Sequence, residues 1–380
     1  MKKIIFFLPT YPDVMYSFLL SFAKKSKADI TIVCLKNLLA ERQGLFNENE
    51  LSEYVEFIYR NDDEPFEQFI SSIITENINA IFVFGGFLGD VGRALQIYNN
   101  KLGKNGIIIT EKPSMTPVKR FNWFIRILKT IRTRLIYGKA YRKVADSIKA
   151  VLVTGKKGVS LLKSCGIPEE KLYNFMYTHI DEILTKNSSV TEDRIKFVYV
   201  GRFNYLNRGI DNLIYTFDKL NQKNWSLDLV GGYGENADEI IEWANKKENV
   251  SYVGAWKSNE VINNLQNYDI CVSPTRIDGW RIQVNQAIIA GIGTITTEEA
   301  ISDELVKESK SGLVVNAFNH KGLFNAVSYV LDHPSVVNEW KNNALKYRDR
   351  ISNDKIADYF NDVIEFTVLK TNNKPRSPWL

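Results

Sequence analysis

Two arginines and a carboxylate stand where the chain leaves buried strands, which is where parallel sheets bind ligands. Arg202 and Arg208 follow the apolar run 195–200, and a guanidinium pairs with phosphate oxygens through two parallel hydrogen bonds. Asp278 follows another apolar run and precedes a pattern that predicts a helix starting near Arg281. The first amides of a helix and its dipole favour an anion. These residues therefore predict a diphosphate site whose positive potential does not require a metal ion.

The loops around these residues supply small and hydrogen-bonding groups. Gly201 permits a sharp turn out of its strand, and Gly232 belongs to a Gly-Gly-Tyr-Gly turn where a ligand can approach the backbone closely. Gln286 lies eight residues after Asp278 on the same predicted helix side, so both side chains are candidates for hydrogen bonds to sugar hydroxyls. Each signal is weak alone, because surface arginines and plain strand–helix turns look the same. Gly279 is a further candidate, since it forms the turn with Asp278, and the amides of the residues that follow it would face the phosphates: Trp280, Arg281 and Ile282.

An alternation of short apolar runs and helical patterns predicts the elements that position these residues. Apolar runs separated by helices recur over residues 3–154 and again over 195–315. Because the runs are apolar throughout, they indicate parallel sheets covered by helices on both faces. The polar stretch 181–193 predicts a break between two doubly wound domains. The candidate site then lies in the cleft between them.

The motifs of the second half, in their order and spacing, resemble the nucleotide-sugar domain of the retaining GT-B glycosyltransferases of family 4. The resemblance covers about 195–331, and its Asp-Gly-Trp motif is similar to one bacterial branch that builds surface polysaccharides. It implies an α/β fold of the GT-B type, with two Rossmann-like doubly wound parallel-sheet domains facing a cleft. The matching segments are Val200-Gly201-Arg202, Arg208-Gly209, Val230-Gly231-Gly232, Asn249-Val250 to Gly254, Asp269 to Thr275, and Asp278 with Gln286.

The resemblance implies retaining transfer of a sugar from a nucleoside-diphosphate sugar to a lipid-linked or other glycan acceptor. By position it assigns the diphosphate to Arg202 and Arg208, the donor sugar to Asp278 and the ribose to Gln286. It implies no metal and no organic cofactor. Gln286 replaces the usual acid and Arg281 the usual glycine. These departures keep an alternative open, a non-catalytic binding or partner subunit that keeps the fold but has lost turnover.

The domain prediction follows from the same resemblance. We expect an acceptor-binding domain over 1–180, a nucleotide-sugar domain over 190–345, and over 346–380 a C-terminal helix that packs back toward the first domain. The polar tail from 371 is expected to be disordered. Glu111 follows the predicted strand 106–110 and is the candidate catalytic group on the acceptor side. A surface-loop acid is as compatible with the sequence.

One basic segment accounts for the sign of the net charge. The chain has 49 Lys and Arg against 44 Asp and Glu, a formal charge of +5, and residues 114–145 hold nine of the basic residues and no acid. A helical pattern with an apolar face and an interfacial Trp favours an anionic membrane surface. A core helix with a solvated basic side is the alternative. The candidate membrane residues are Lys119, Arg120, Trp123, Arg126, Lys129 and Arg134.

The composition excludes several classes of protein. Three cysteines far apart and three scattered histidines argue against a disulfide scaffold and a zinc site, and fit a reducing cytoplasm. No apolar run approaches the roughly 18 residues of a membrane span. No recognised nucleic-acid-binding motif accompanies the basic segment. We therefore expect a cytoplasmic protein, peripheral on the inner face of the cell membrane, with no nucleic-acid partner.

Overall fold

Two parallel sheets with helices on their faces form the fold, as predicted. The structure is a computed structural model that describes residues 2–12, 15–36, 48–61, 63–114, 123–178, 194–368, 371 and 373–380. Within these residues, one sheet has seven strands and the other six. The predicted domain break at 181–193 lies outside the described residues.

The first sheet orders its strands so that a crevice opens at their carboxyl ends. The strands are β1 (Lys3–Leu8), β2 (Asp29–Cys34), β3 (Glu56–Tyr59), β4 (Ile81–Phe84), β5 (Gly106–Thr110), β6 (Ile148–Thr154) and β7 (Leu172–Phe175). The helices are α1 (Tyr16–Ser26), α2 (Glu48–Ser52), α3 (Phe66–Glu76), α4 (Gly89–Lys101), α5 (Trp123–Arg142) and α6 (Gly155–Ser164). The order is β3-β2-β1-β4-β5-β6-β7, and the direction of progression reverses between β1 and β4.

The second sheet repeats this arrangement. Its strands are β8 (Ile195–Gly201), β9 (Trp225–Gly231), β10 (Val250–Gly254), β11 (Ile270–Ser273), β12 (Gly293–Thr297) and β13 (Gly312–Val315). Its helices are α7 (Tyr205–Arg208), α8 (Ile210–Asp218), α9 (Ala237–Asn245), α10 (Val261–Leu265), α11 (Ile282–Ala290), α12 (Asp303–Ser309), α13 (His320–Asp332) and α14 (Ser335–Tyr347). The order is β10-β9-β8-β11-β12-β13. The reversal therefore lies between β8 and β11.

The continuous apolar runs are explained by burial on both faces of each sheet. In β1, Ile4 and Phe6 pack into one core cluster, whereas Ile5 and Phe7 pack into another on the opposite face. Neighbouring strands pair in parallel register, as in β1 with β2 and β4. Burying each such side chain contributes roughly 1.5–3 kcal/mol. An alternating polar pattern would leave one of these faces without a core.

The C-terminal segment crosses from the second sheet back to the first. The last helix, α15 (Asn353–Val368), packs against α1, where the Phe360 ring makes edge contacts with Phe18 and Phe22. Beyond it, Trp379 is fully buried, and its indole N–H donates to Glu304 at 3.2 Å. The expected disorder of the tail is therefore wrong, because a large apolar side chain near its end finds a buried acceptor.

Candidate functional site

The loop after β8 is held by the segment after β11. Asn204 caps the short helix α7 by accepting from the Asn207 amide at 2.7 Å. The Asn207 carbonyl in turn accepts from the Thr275 hydroxyl at 3.0 Å and from the Arg276 amide at 2.8 Å. Backbone groups of two loops are thus satisfied together. Arg208, at the end of α7, is positioned as a result.

Arg208, Asp278 and Arg281 form one charged cluster, which we call the donor cluster. Arg208 is ion-paired with Asp278, and Arg281 Nη1 lies 3.9 Å from the same carboxylate. Arg281 also donates from Nε to the Ser273 hydroxyl at 3.0 Å and from Nη2 to the Val200 carbonyl at 2.7 Å. Its guanidinium therefore bridges the carboxyl ends of β8 and β11, at the reversal point where such sheets bind ligands.

The donor cluster carries more positive than negative charge in a buried place. Burial lowers the pKa of Arg281, and the adjacent positive charge of Arg208 acts in the same direction, while Asp278 opposes it. Two guanidiniums thus share one carboxylate at the base of the crevice. A buried charge without full compensation is costly, so this geometry favours an anionic ligand, and a diphosphate matches the fork of a guanidinium.

The amides ahead of α11 differ from the expectation. The Arg281 amide donates to the Ala300 carbonyl at 3.0 Å, and the Ser302 hydroxyl donates to the Arg281 carbonyl at 2.9 Å. The prediction that the Arg281 amide faces an anion is therefore wrong, because the turn at Ala300–Ser302 satisfies it. The Gly279 amide likewise donates to its neighbour Asp278 at 2.9 Å. Trp280 and Ile282 remain as candidate amides.

The other predicted donor residues differ in whether they contact the donor cluster. Arg202 is exposed and its guanidinium lies 5.3 Å from the Tyr233 ring centre, so the structure does not bring it together with Arg208. A side chain at Gly201 would collide with the Arg281 guanidinium, and one at Gly232 with the hydroxyl of a neighbouring tyrosine. Gln286 is buried on α11.

Glu111 lies across the cleft from the Asp278-Gly-Trp motif. A side chain at Gly279 would collide with the Glu111 carboxylate, so the two domains approach each other here without room for a Cβ. The Thr154 hydroxyl, at the end of β6, donates to the Gly279 carbonyl at 2.8 Å and accepts from the Lys112 amide at 2.7 Å. The structure thus brings Glu111 to the candidate site.

Ion pairs that join the two domains were not predicted from the sequence. Arg126 on α5 is ion-paired with Glu299 at 2.5 Å, and Lys157 on α6 with the buried Asp303 at 3.1 Å. Arg126 therefore faces the cleft, which contradicts its assignment to a membrane surface. These partners are more than a hundred residues apart, so no local spacing marks them.

The apolar face of α5 is exposed to solvent. Trp123 and Leu135 are each 64% exposed, and Phe124, Leu128 and Ile131 are also exposed. This exposure contradicts the alternative of a core helix. Lys129 lies on this helix, and Arg134 donates to the Ser164 hydroxyl at 2.9 Å. Lys119 and Arg120 lie outside the described residues.

None of the helices in the described part of the chain is both long and apolar enough to cross a membrane. The same residues contain no group of three or more His, Cys, Asp or Glu arranged to hold a metal ion. Metal independence stays a prediction, which activity measured with and without a chelator tests.

Comparisons with known proteins agree with this geometry. The model of the family "Glycosyl transferases group 1" matches residues 181–347. The chain is 25% identical over 213 residues, 54% of its length and 55% of the relative's, to the N,N'-diacetylbacillosaminyl-diphospho-undecaprenol alpha-1,3-N-acetylgalactosaminyltransferase of Campylobacter jejuni. It spans 35% and 55% of the length of the two curated relatives it matches.

Solved structures share the whole fold. The apo form of the lipopolysaccharide outer core galactosyltransferase WaaB has a TM-score of 0.66 at 13% identity, covering 95% of this chain and 99% of that chain. Anabaena HepE in complex with UDP and glucose has a TM-score of 0.64 at 11% identity, covering 97% and 98%. These likenesses establish the GT-B fold. The chain resembles the group 1 glycosyl transferases through its second domain, which the family model matches over residues 181–347.

Proposed function

We propose that the chain transfers a sugar from a nucleoside-diphosphate sugar to a glycan acceptor, with retention of anomeric configuration. The observation that carries this proposal is the donor cluster at the reversal point of the second sheet, facing Glu111 across the cleft. The Anabaena neighbour contains UDP in the same fold, which supports a nucleoside diphosphate as the ligand. The donor sugar itself is left open.

Each charged group has a proposed task in the transfer. When the donor binds, Arg208 loses part of its ion pair with Asp278 and pairs with the diphosphate instead. It then stabilises the negative charge that develops as the sugar leaves. Asp278, once released, accepts hydrogen bonds from the donor sugar. Glu111 lies where an acceptor hydroxyl enters from the first domain, and it orients that hydroxyl and takes its proton.

The proposed acceptor is lipid-linked. The curated Campylobacter relative bears a diphospho-undecaprenol acceptor in its name, and the exposed apolar face of α5 suits an anionic membrane surface. The proposal places the protein in the cytoplasm, peripheral on the inner face of the cell membrane. It includes no nucleic-acid partner.

A donor screen followed by a transfer assay tests the function. Nucleoside-diphosphate sugars are screened for a rise in melting temperature, because a ligand at one hundred times its Kd stabilises by about 2.7 kcal/mol. The stabilising donors are then incubated, radiolabelled in the sugar, with lipid-linked acceptors. We expect at least one donor to stabilise the protein and to be consumed. If none binds, the proposal is overturned.

The second candidate function is a non-catalytic subunit. The observation in its favour is that Arg281 lies against Gly201 and fills space at the end of β8, at a position where the resemblance implies a glycine. A donor that binds tightly but is neither transferred nor hydrolysed would favour this candidate over catalysis.

A further inference from the structure

Thr154, the last residue of β6, is fully buried where the two domains meet. Strands β5 and β6 run side by side, with Thr110 opposite Val153. Glu111 and Thr154 are therefore the next residues along these two strands, at the carboxyl edge of the first sheet. A polar side chain buried in such a place needs hydrogen-bond partners, and Thr154 has one in each domain.

The Thr154 hydroxyl connects the peptides that follow the two proposed transfer groups. It accepts from the Lys112 amide at 2.7 Å and donates to the Gly279 carbonyl at 2.8 Å. Lys112 directly follows Glu111 in the chain, and Gly279 directly follows Asp278. An amide only donates and a carbonyl only accepts, so a side chain between them must do both, which a hydroxyl can do.

Two glycines allow the backbones of the two domains to approach each other beside this hydroxyl. A Cβ at Gly279 would collide with the Glu111 carboxylate. On the other side, a Cβ at Gly155, where φ is +73°, would lie 2.6 Å from a methyl group of Ile301 in the second domain. Shape therefore permits the close approach, and the two directional hydrogen bonds of Thr154 fix its register.

The arginines of the donor cluster are held differently, by groups of their own domain. Arg208 is ion-paired with Asp278, and the Arg281 guanidinium donates to the Ser273 hydroxyl and the Val200 carbonyl. Loss of a hydroxyl from the first domain leaves these contacts intact. The hydroxyl of Thr154 therefore bears on the approach of the first domain and not on the binding of the diphosphate.

We propose that Thr154 is a positioning residue of the transfer reaction, which holds Glu111 at the correct distance from Asp278 by bonding to the peptide after each of them. The inference rests on the proposed function, because it concerns the same site. Thr154 acts through Glu111 and has no contact with the reacting atoms. A displacement of about 1 Å at a reacting group costs about hundredfold in rate, so the loss of these two bonds should lower kcat.

Two substitutions at this position separate the hydrogen bonds from the shape of the side chain. Thr154→Val keeps the branched shape but leaves the amide and the carbonyl unpaired. We expect its kcat for transfer of a radiolabelled sugar to fall about hundredfold, while the Kd for UDP, measured by calorimetry, stays within about threefold of the parent. Thr154→Ser retains the hydroxyl and should restore kcat to within about fivefold of the parent.

Thr31→Val is the matched control for the loss of a buried hydroxyl. Thr31 lies in β2 of the same sheet, separated from β6 by three strands, and its hydroxyl donates to Glu56 at 3.0 Å. We expect this variant to keep the parent kcat. Melting temperatures of Thr31→Val and Thr154→Val show that both proteins are folded at the assay temperature.

A double variant tests whether Thr154 acts through Glu111. In the Glu111→Gln background the group that Thr154 positions is already inactive, so adding Thr154→Val should lower kcat by less than about threefold further. A general structural role would instead lower kcat by the same hundredfold in both backgrounds. That additive result would overturn the assignment.

Hydrogen exchange gives a measurement that does not depend on activity. The Lys112 amide should exchange faster in Thr154→Val than in the parent or in Thr154→Ser, because its acceptor is lost. Unchanged exchange, or a kcat of Thr154→Val equal to that of Thr31→Val in an active protein, would overturn this inference alone. A parent protein that neither binds nor consumes any donor would instead overturn the proposed function, and this inference with it.

Discussion

The two edges of the cleft differ in how the charges of their side chains are compensated. On the second-domain edge, Arg208, Asp278 and Arg281 compensate one another, and Arg281 is also fixed by two strand ends. On the first-domain edge, Glu111 is exposed and Lys112 half-buried, and the Lys112 ammonium has no direct partner among the described residues. The charges of the donor cluster are therefore compensated within the protein, whereas that of Lys112 lacks a direct partner in the described part of the chain.

This difference predicts that the two edges contribute differently to the rate of transfer and to ligand specificity. A preorganised cluster costs little reorganisation when charge develops, so it suits the leaving diphosphate. The first-domain edge holds the proposed base Glu111 and the exposed apolar face of α5, so it suits the acceptor. Changes to the two edges should therefore separate turnover, donor affinity and surface binding.

The largest expected effect is on turnover at the first-domain edge. Glu111→Gln keeps the shape that fits against Gly279 but removes the base, so kcat should fall about thousandfold while the affinity for UDP stays the same. Transfer of a radiolabelled sugar and calorimetry measure the two quantities. Glu67→Gln, an exposed acid of α3, is the control. A kcat near that of the control would remove the catalytic assignment of Glu111.

The next effect is on donor affinity at the other edge. Arg208→Ala leaves Asp278 without its ion pair and takes one guanidinium from the diphosphate, so the Kd for UDP should rise about hundredfold. Arg202→Ala is the matched control, because its guanidinium lies over the Tyr233 ring, and a change below about threefold is expected there. Equal losses in both variants would contradict the contrast between buried and exposed arginines.

A smaller effect is expected on membrane binding. The double variant Lys129→Gln and Arg134→Gln removes two charges from α5, each worth about 1 kcal/mol near an anionic surface. Partition onto phosphatidylserine vesicles in a flotation assay should fall by about thirtyfold. The control pair Lys246→Gln and Lys355→Gln removes equal charge from exposed sites elsewhere. Equal partition of both pairs would show that α5 is not the contact surface.

The smallest effect concerns the junction where the two edges meet. Glu304 accepts from the Lys156 amide at 2.7 Å, the Asn174 side chain at 2.9 Å and Trp379, and burial raises its pKa above 4.5. At pH values between 4.5 and that raised pKa, Glu304 is protonated in the folded protein but ionised in the unfolded chain. The stability that this bound proton contributes is therefore lost as the pH rises through that range. The slope involved is at most about 1.4 kcal/mol per pH unit.

Denaturant unfolding at several pH values compares the unaltered protein with Glu304→Gln. The variant should lack this part of the pH dependence, so its stability relative to the parent should rise with pH across the window. Glu308→Gln, a neighbouring acid on α12, is the control. Parallel stability curves for parent and Glu304→Gln would show that Glu304 keeps its ordinary pKa.

Local pattern was sufficient for most of the fold. Each predicted strand has a counterpart, because strands buried on both faces read as continuous apolar runs. The strand β7, Leu-Tyr-Asn-Phe, was missed because it is short and contains Asn, which is depleted in strands. The placement of Glu111, Arg208 and Asp278 followed from the rule that ligands bind at carboxyl ends of strands.

Long-range contacts decided what the sequence left open. The amphipathic pattern of α5 has the same form whether its apolar face meets a core or solvent. Contacts such as the ion pair of Arg126 with Glu299 and the hydrogen bond of Arg134 to Ser164 fix its orientation. The Arg281 amide donates to the Ala300 carbonyl, nineteen residues later, because of a turn that no sequence signal marks. Trp379 was overlooked because its acceptor, Glu304, belongs to another element.

The packing of α15 onto α1 makes the first domain discontinuous along the chain. Its aromatic core of Phe6, Phe18, Phe22 and Phe175 is completed by Phe360, and the Ser21 hydroxyl donates to Asp354 at 2.5 Å. During synthesis, the core of the first domain therefore cannot close until the second domain and α15 have been synthesised. An isolated fragment that ends before the second sheet would expose these rings and aggregate. The contributions of the two domains should therefore be separated with point variants rather than with isolated halves of the chain.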